Sequence, residues 1–169
     1  MRSVLTNVVV ALAVAGALAA GPVRAVPTDE VQSVFSQFIG AQNAHDLDGV
    51  RRLLSDSPDF LWVFPGRVVR SQSAALDGLR ELFKGQWRVE PDWSTFQVLG
   101  LDVSTVEIFV RASIHGDSLV RMAQMNLILV DTTRGWRISS IVVSNVPPDR
   151  DIRYEPPDAA PSASGIASR

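Results

Sequence analysis

The chain contains no cysteine, which excludes disulfides, thiolate metal sites and a cysteine nucleophile together. Histidine is nearly as scarce, with His45 and His115 its two copies. Zinc needs three or four convergent ligands, so this pair makes no metal site. His45 reads as a turn residue ahead of a helix cap at Asp46, and His115 stands at the tip of an expected hairpin. Ser140 and Ser144 have no histidine nearby in the pattern, which leaves no nucleophilic triad. An excess of either charge is missing too. The 16 basic residues face 18 acidic ones, and no basic stripe exists to attract nucleic acid.

Long apolar runs are confined to Val8–Ala20, preceded by Arg2. The run is shorter than the roughly 20 residues that cross a bilayer, and it suits the core of a signal peptide. Small residues allow cleavage after Ala25 or after Ala19. Residues 1–25 are therefore expected to be a signal peptide and the mature chain to be periplasmic or secreted, free of the membrane. Cleavage after Ala25 removes Arg2 and Arg24 and takes the net charge from −2 to −4. From Pro147 the segment "PPDRDIRYEPPDAAPSASGIASR" has no apolar period and is expected to be a disordered tail, 147–169. One domain, 26–146, remains.

What is present there is a series of periodic segments. Thr28 reads as an N-cap, with Asp29 and Glu30 where the helix dipole favours them. Val31, Val34, Phe35, Phe38 and Ile39 then form one helical face, ending near Ala44. Asp46 caps a second helix whose stripe is Leu47, Val50, Leu53 and Leu54, closed by Pro58. Phe60–Phe64, a Pro65-Gly66 turn and Arg67–Arg70 read as a hairpin. A third helix starts at Ser71 or Ser73, buries Ala75, Leu76, Leu79, Leu82 and Phe83, and stops at Gly85. Strands are expected over 93–101, 103–114, 119–130 and 136–144. Helices early and a meander late predict an α+β domain, three N-terminal helices packed on one face of a mainly antiparallel sheet.

The segments "HDLDGVRRLLSDSPDF", "SAALDGLRELF" after the hairpin, and "GWRISSIVVS" at the end carry a likeness in their order and spacing. The chain resembles the nuclear transport factor 2-like superfamily, in particular its SnoaL-like branch. The resemblance implies a sheet curved into a cone around a pocket, a small-molecule ligand and pairing into homodimers. That fold hosts isomerases, dehydratases, cyclases, epoxide hydrolases and plain binding proteins, so it does not choose among them. Neither the residues nor the resemblance calls for a cofactor. SnoaL-like relatives often place a histidine shortly after the final-strand tryptophan, where this chain has Ser140 and Val142. Ketosteroid isomerase-like relatives use a tyrosine in an oxyanion hole, and the sole tyrosine here, Tyr154, lies in the tail. The superfamily's catalytic sets do not carry over.

The chemistry-bearing residues concentrate in "FVRASIHGDSLVRMAQMNLILVDTTRGWRI" and just upstream. With the turn centred on Gly116-Asp117, Glu107 pairs with Asn126, Phe109 with Gln124, Arg111 with Met122 and His115 with Ser118. Alternation then puts Val106, Ile108, Val110, Ala123, Met125 and Leu127 on one face and Glu107, Phe109, Arg111, Gln124 and Asn126 on the other. Two readings follow. If the polar face is concave, Glu107 walled by Phe109, Met122 and Trp136 is a general base, Arg111 or Asn126 holds an oxyanion, and a partner covers the apolar face. Trp62, Phe109, Gln124, Asn126 and Trp136 would then line the ligand site. If the polar face meets water, the apolar face is the core, and Glu107 and Arg111 are an ordinary solvated pair. The loop before Trp136 decides its side, since a four- or five-residue loop gives opposite answers. Three functions fit: a small-molecule binding domain, a lyase or isomerase using a pocket carboxylate, or a dimeric interaction module.

Overall fold

A computed structural model describes residues 28–117 and 119–146. The expected signal peptide, the tail and Ser118 lie outside these residues. Three helices precede most of the sheet: α1 Thr28–Asn43, α2 Leu47–Leu53 and α3 Gln72–Leu82. The strands are β1 Leu61–Phe64, β2 Arg67–Val69, β3 Arg88–Gly100, β4 Thr105–Gly116, β5 Leu119–Thr132 and β6 Gly135–Asn145. They form one six-stranded sheet in the order β2-β1-β6-β5-β4-β3. Every pairing is antiparallel except β1 beside β6, so the sheet is mixed.

Local signals explain the helix starts. The Asp46 carboxylate accepts from Gly49 N at 2.8 Å, and Ser71 Oγ accepts from Ala74 N at 3.2 Å. His45 takes φ 56°, the left-handed turn between α1 and α2. Gly66, at φ 80°, makes the β1–β2 turn that a side chain would strain.

The helices lie on the apolar sheet face. Val31, Phe35, Phe38 and Val50 pack with Ile108, Val110, Leu127, Ile138 and Ile141, each 0 % exposed. The apolar face is therefore the core, and the helices themselves cover it.

Three expectations about the strands need correction. β3 starts five residues earlier than its alternation suggested, running through Pro91. It is an edge strand, so a residue without an N–H costs little there. The β4–β5 hairpin is two residues out of the expected register: Glu107 faces Ile128, Phe109 faces Asn126, and Arg111 faces Gln124. A two-residue slip leaves every side chain on its own face, so hydrophobic alternation cannot detect it. Asp117 anchors the actual turn by accepting from Gln86 N at 2.6 Å. Finally, Thr132 pairs with Gly135, a two-residue loop that puts Trp136 opposite Asp131 on the helix side. Trp136 is 6 % exposed there.

Two bulges shape the sheet. Between Asp92–Arg111 and Gln97–Phe109, residues 93–96 of β3 stand opposite a single residue of β4. The Thr95 hydroxyl braces the bulge, accepting from Arg111 N at 2.9 Å and donating to Asp92 O at 2.8 Å. Trp93 and Phe96 thereby reach over α1, with ring centroids 5.7 and 5.6 Å from Phe35. In β6 the pairing shifts between Leu129–Ile138 and Ile128–Ser140, which makes Ser139 an extra residue. That insertion keeps Trp136 and Ile138 on the same face as Ile141 and Val143.

Candidate functional site

The sheet divides the residues that the sequence grouped together. Glu107, Phe109, Arg111, Gln124 and Asn126 do share one face, each partly buried. Trp62 pairs with Ile141 and is 2 % exposed, and Trp136 is also buried on the opposite, helix-covered face. Neither tryptophan can wall Glu107. Met122 pairs with Ser113, well along the strand from Glu107, and is 44 % exposed. On the helix-free face Gln124 Nε2 donates to Val110 O and Met125 O, both at 3.3 Å, so its amide serves the sheet. Glu107 makes no hydrogen bond or ion pair among the described residues. This face is broad and mixed in character, with Ile128, Val130 and Val142 interleaved among the polar groups.

A concave arrangement exists elsewhere. The β1–β2 hairpin crosses the flank of α3 and leaves a cleft of about 390 Å³. Phe64, Val69, Ala75, Leu79, Leu82 and Trp87 make most of its wall. Gly78 opens the floor: in mid-α3 it has no side chain, and a Cβ there would lie 3.7 Å from the Arg67 guanidinium. The cleft's one carboxylate is the exposed Glu81, which accepts from Lys84 Nζ at 2.6 Å.

Buried polar atoms without partners accompany the core around this apolar wall. Trp87 Nε1, Trp62 Nε1 and both amide atoms of Gln42 are buried with no hydrogen-bond partner among the described residues. An unsatisfied buried polar group costs about 1–3 kcal/mol and calls for a partner, protein, water or ligand. Of the three side chains Trp87 lines the cleft itself, and Trp62 reaches it through Phe64. Gln42 continues the buried α1 stripe beyond Phe38, whose ring lies 5.9 Å from that of Trp62. Trp62 in turn stacks on Phe64 at 4.9 Å.

The end of α1 is fixed against β3 and α3 at this point. The Asn43 amide exchanges two 2.8 Å hydrogen bonds with the Val89 backbone. His45 Nε2 lies 3.1 Å from Trp87 O, and its ring stacks on Phe83 at 4.7 Å. His45 is thus a structural clamp. Of Gln42, Trp62, Phe64 and Trp87 the sequence pattern had proposed only Trp62 for a site. Gln42 carried a signal, a polar residue at a core position of a helical stripe, whereas nothing local distinguishes Phe64 or Trp87.

Among the described residues no group of three or more His, Asp or Glu side chains is placed to hold a metal. None of their helices is long and apolar enough to cross a membrane.

Residues 31–149 match the SnoaL-like domain family. No curated protein matches the chain by sequence. Among solved structures, a nuclear transport factor 2-like protein from Cytophaga hutchinsonii is similar with a TM-score of 0.62 at 16% identity, covering 72% of this chain and 100% of its own. A proposed dehydratase of the same family from Streptomyces avermitilis has a TM-score of 0.63 at 15% identity, with 71% and 97% covered. A proposed ketosteroid isomerase from Shewanella frigidimarina has a TM-score of 0.54 at 20% identity, with 66% and 92% covered. At these identities the likeness is one of fold.

Proposed function

The chain belongs to the SnoaL-like domain family of the nuclear transport factor 2-like superfamily, and from that premise we propose that it binds a small, partly apolar molecule in the cleft between α3 and the β1–β2 hairpin. The observation that carries this reading is an apolar wall that includes Trp87, whose indole N–H is buried without a partner. A ligand site is mostly apolar with a few placed polar groups, and this combination fits that pattern. The indole N–H groups of Trp62 and Trp87 donate only, and the Gln42 amide both donates and accepts. They suit an uncharged molecule with a carbonyl or hydroxyl on an apolar frame.

The reading is one of binding. Glu81, the cleft's carboxylate, is exposed and already paired with Lys84, so it is poorly placed to abstract a proton. A lyase or isomerase based on Glu107 and Arg111 needs the helix-free face to be enclosed, which a second copy of the chain would have to supply. Thermal-shift screening of the domain against steroid-like, polyketide-like and aromatic carbonyl compounds tests the binding. A hit that stabilises the wild type, is lost in Gly78→Leu and is kept in Glu107→Gln supports the cleft. A hit that survives Gly78→Leu but not Glu107→Gln moves the site to the other face.

The helix-free sheet face supports a second element of the proposal, pairing of two copies through it. Phe109, Ile128, Val130 and Val142 there are partly exposed apolar groups that a partner would cover. Light scattering of the purified domain should give a dimer, and Ile128→Arg should give a monomer. A monomeric wild type at micromolar concentration removes the pairing.

A further inference from the structure

A second concavity, sharing no lining residue with the apolar cleft, is built from arginine. Arg51 and Arg52 stand on the last turn of α2, Arg134 on the β5–β6 turn and Arg137 in β6. They line a cavity of about 450 Å³ together with Leu54, Gln72 and a single carboxylate, Asp56. Arg52 and Arg137 also border an adjoining hollow of about 540 Å³ that reaches the end of α1. In a chain whose formal charge is −2, four cations against one anion in one cavity is a local reversal of sign.

The arginines are held together by backbone rather than by chance side-chain meeting. Ser55 N donates to Ile138 O at 2.8 Å, and Leu54 bridges Ile138 in parallel, which ties the end of α2 to β6. Gln72 Nε2 donates to Arg51 O at 3.1 Å and to Leu54 O at 3.0 Å, fixing the same corner to α3. Three of the guanidinium groups form ion pairs, two of them long. Arg134 holds Asp56 at 2.8 Å. Arg52 lies 3.8 Å from Asp46 and Arg51 4.0 Å from Asp48, too far for hydrogen bonds. Arg137 donates to its neighbour's carbonyl, Trp136 O, at 2.8 Å. Three of the four forks therefore meet no carboxylate at hydrogen-bond distance among the described residues. The hydrogen bond from Arg134, then the charge of Arg134 and, more weakly, that of Arg137, hold the Asp56 pKa below the usual carboxylate value.

Like charges repel unless an anion sits between them, and the planar guanidinium fork matches the oxygens of phosphate in pairs. We propose that this arginine-lined cavity is a binding site for a polyvalent phosphate group, with Arg52 and Arg137 as its central contacts and Asp56 as an internal competitor for Arg134.

Titration calorimetry with sodium pyrophosphate, at constant ionic strength set by sodium chloride, tests the site on the full domain. Arg52→Gln and Arg137→Gln should each weaken binding about tenfold, the loss expected for a charge-assisted contact. Asp56→Asn should tighten it, because Arg134 is released. Arg88→Gln, on the far edge strand and paired with Glu90, should leave it unchanged. Circular-dichroism melts of each variant verify folding. Co-sedimentation with vesicles containing phosphatidic acid, a phosphomonoester, against phosphatidylcholine vesicles, separates the two sources of the phosphate: binding that needs Arg52 and Arg137 there, without pyrophosphate binding, assigns a lipid headgroup. Absence of both interactions in the wild type, or binding that both arginine variants keep in full, overturns the site.

Discussion

The two faces of the sheet are built from alternate residues of the same strands, yet they do different work. On one, Ile108, Val110 and Leu127 lie under the helices at 0 % exposure. On the other, their immediate neighbours Glu107, Phe109, Gln124 and Asn126 stay partly open. Alternation separates two sets of residues but does not say which set is enclosed. The amphipathic stripe of α1 decides that. Val31, Phe35 and Phe38 need an apolar surface, and only one face offers it. The candidate ligand cleft follows the helices, not the polar residues, because enclosure needs two layers.

This contrast can be broken most forcefully at Ser139. Deleting it removes the β6 bulge and sends either Trp136 and Ile138 or Ile141 and Val143 to the open face. The expected loss exceeds about 4–5 kcal/mol, enough to abolish the cooperative urea transition of a typical domain. If the deletion variant unfolds like the wild type, the bulge is not what sorts the faces.

A smaller but still large effect is expected from Phe38→Ala, about 3–5 kcal/mol for a fully buried aromatic. Asn126→Ala, on the open face, should stay within about 0.5 kcal/mol when the domain is kept dilute enough to be monomeric. Equal losses in guanidinium denaturation would make the two faces energetically alike and undo the comparison.

Gln42→Leu sharpens the contrast from the other direction. Gln42 is a polar residue on the covered side, 1 % exposed, with no partner for its amide. Replacing it with an apolar group of similar size should raise stability by about 1–2 kcal/mol while weakening any cleft ligand. A loss of stability in differential scanning calorimetry would mean that the amide is satisfied in solution.

The smallest effect belongs to the rim, where Asp56 meets Arg134. Its folded pKa is lowered, chiefly by the hydrogen bond from Arg134. Its contribution to stability is therefore complete above the ordinary carboxylate pKa of about 3.9 and fades as pH falls through the lowered folded value. The carboxyl chemical shift of Asp56 should titrate at lower pH than a free aspartate, and Arg134→Gln should return it to the usual range. An unshifted wild-type curve would show the pair to be open in solution.

Much of the fold was legible residue by residue. Asp46 and Ser71 announced their helices as caps, and Pro65-Gly66 announced its turn, because these signals act within a few positions. The α+β order and the two faces of the β4–β5 hairpin followed from periods of 3.6 and 2. The break in spacing between Ile138 and Ile141 also carried the β6 bulge, though it reads as such only once the partner strand is known. The candidate site was far less legible. Of the residues proposed for it, Trp62 reaches the cleft through Phe64, whereas Glu107, Phe109, Arg111, Gln124 and Asn126 lie across the sheet from it. Pro91 hid the start of β3, since a proline argues against a strand unless that strand is known to be an edge.

By itself, then, the sequence determined the elements, their order and which side chains travel together on one face. Those are local properties, set by backbone periodicity and capping over a few residues. The tertiary structure alone decided which face the helices cover, the two-residue choice of hairpin register and the meetings of distant residues. Arg51 and Arg52 meet Arg134 and Arg137 through the bridge from Leu54 to Ile138, and Trp62 meets Ile141 only through the parallel β1–β6 pairing. Such contacts depend on how layers stack, and stacking is governed by the total apolar area removed from water rather than by any short stretch of chain.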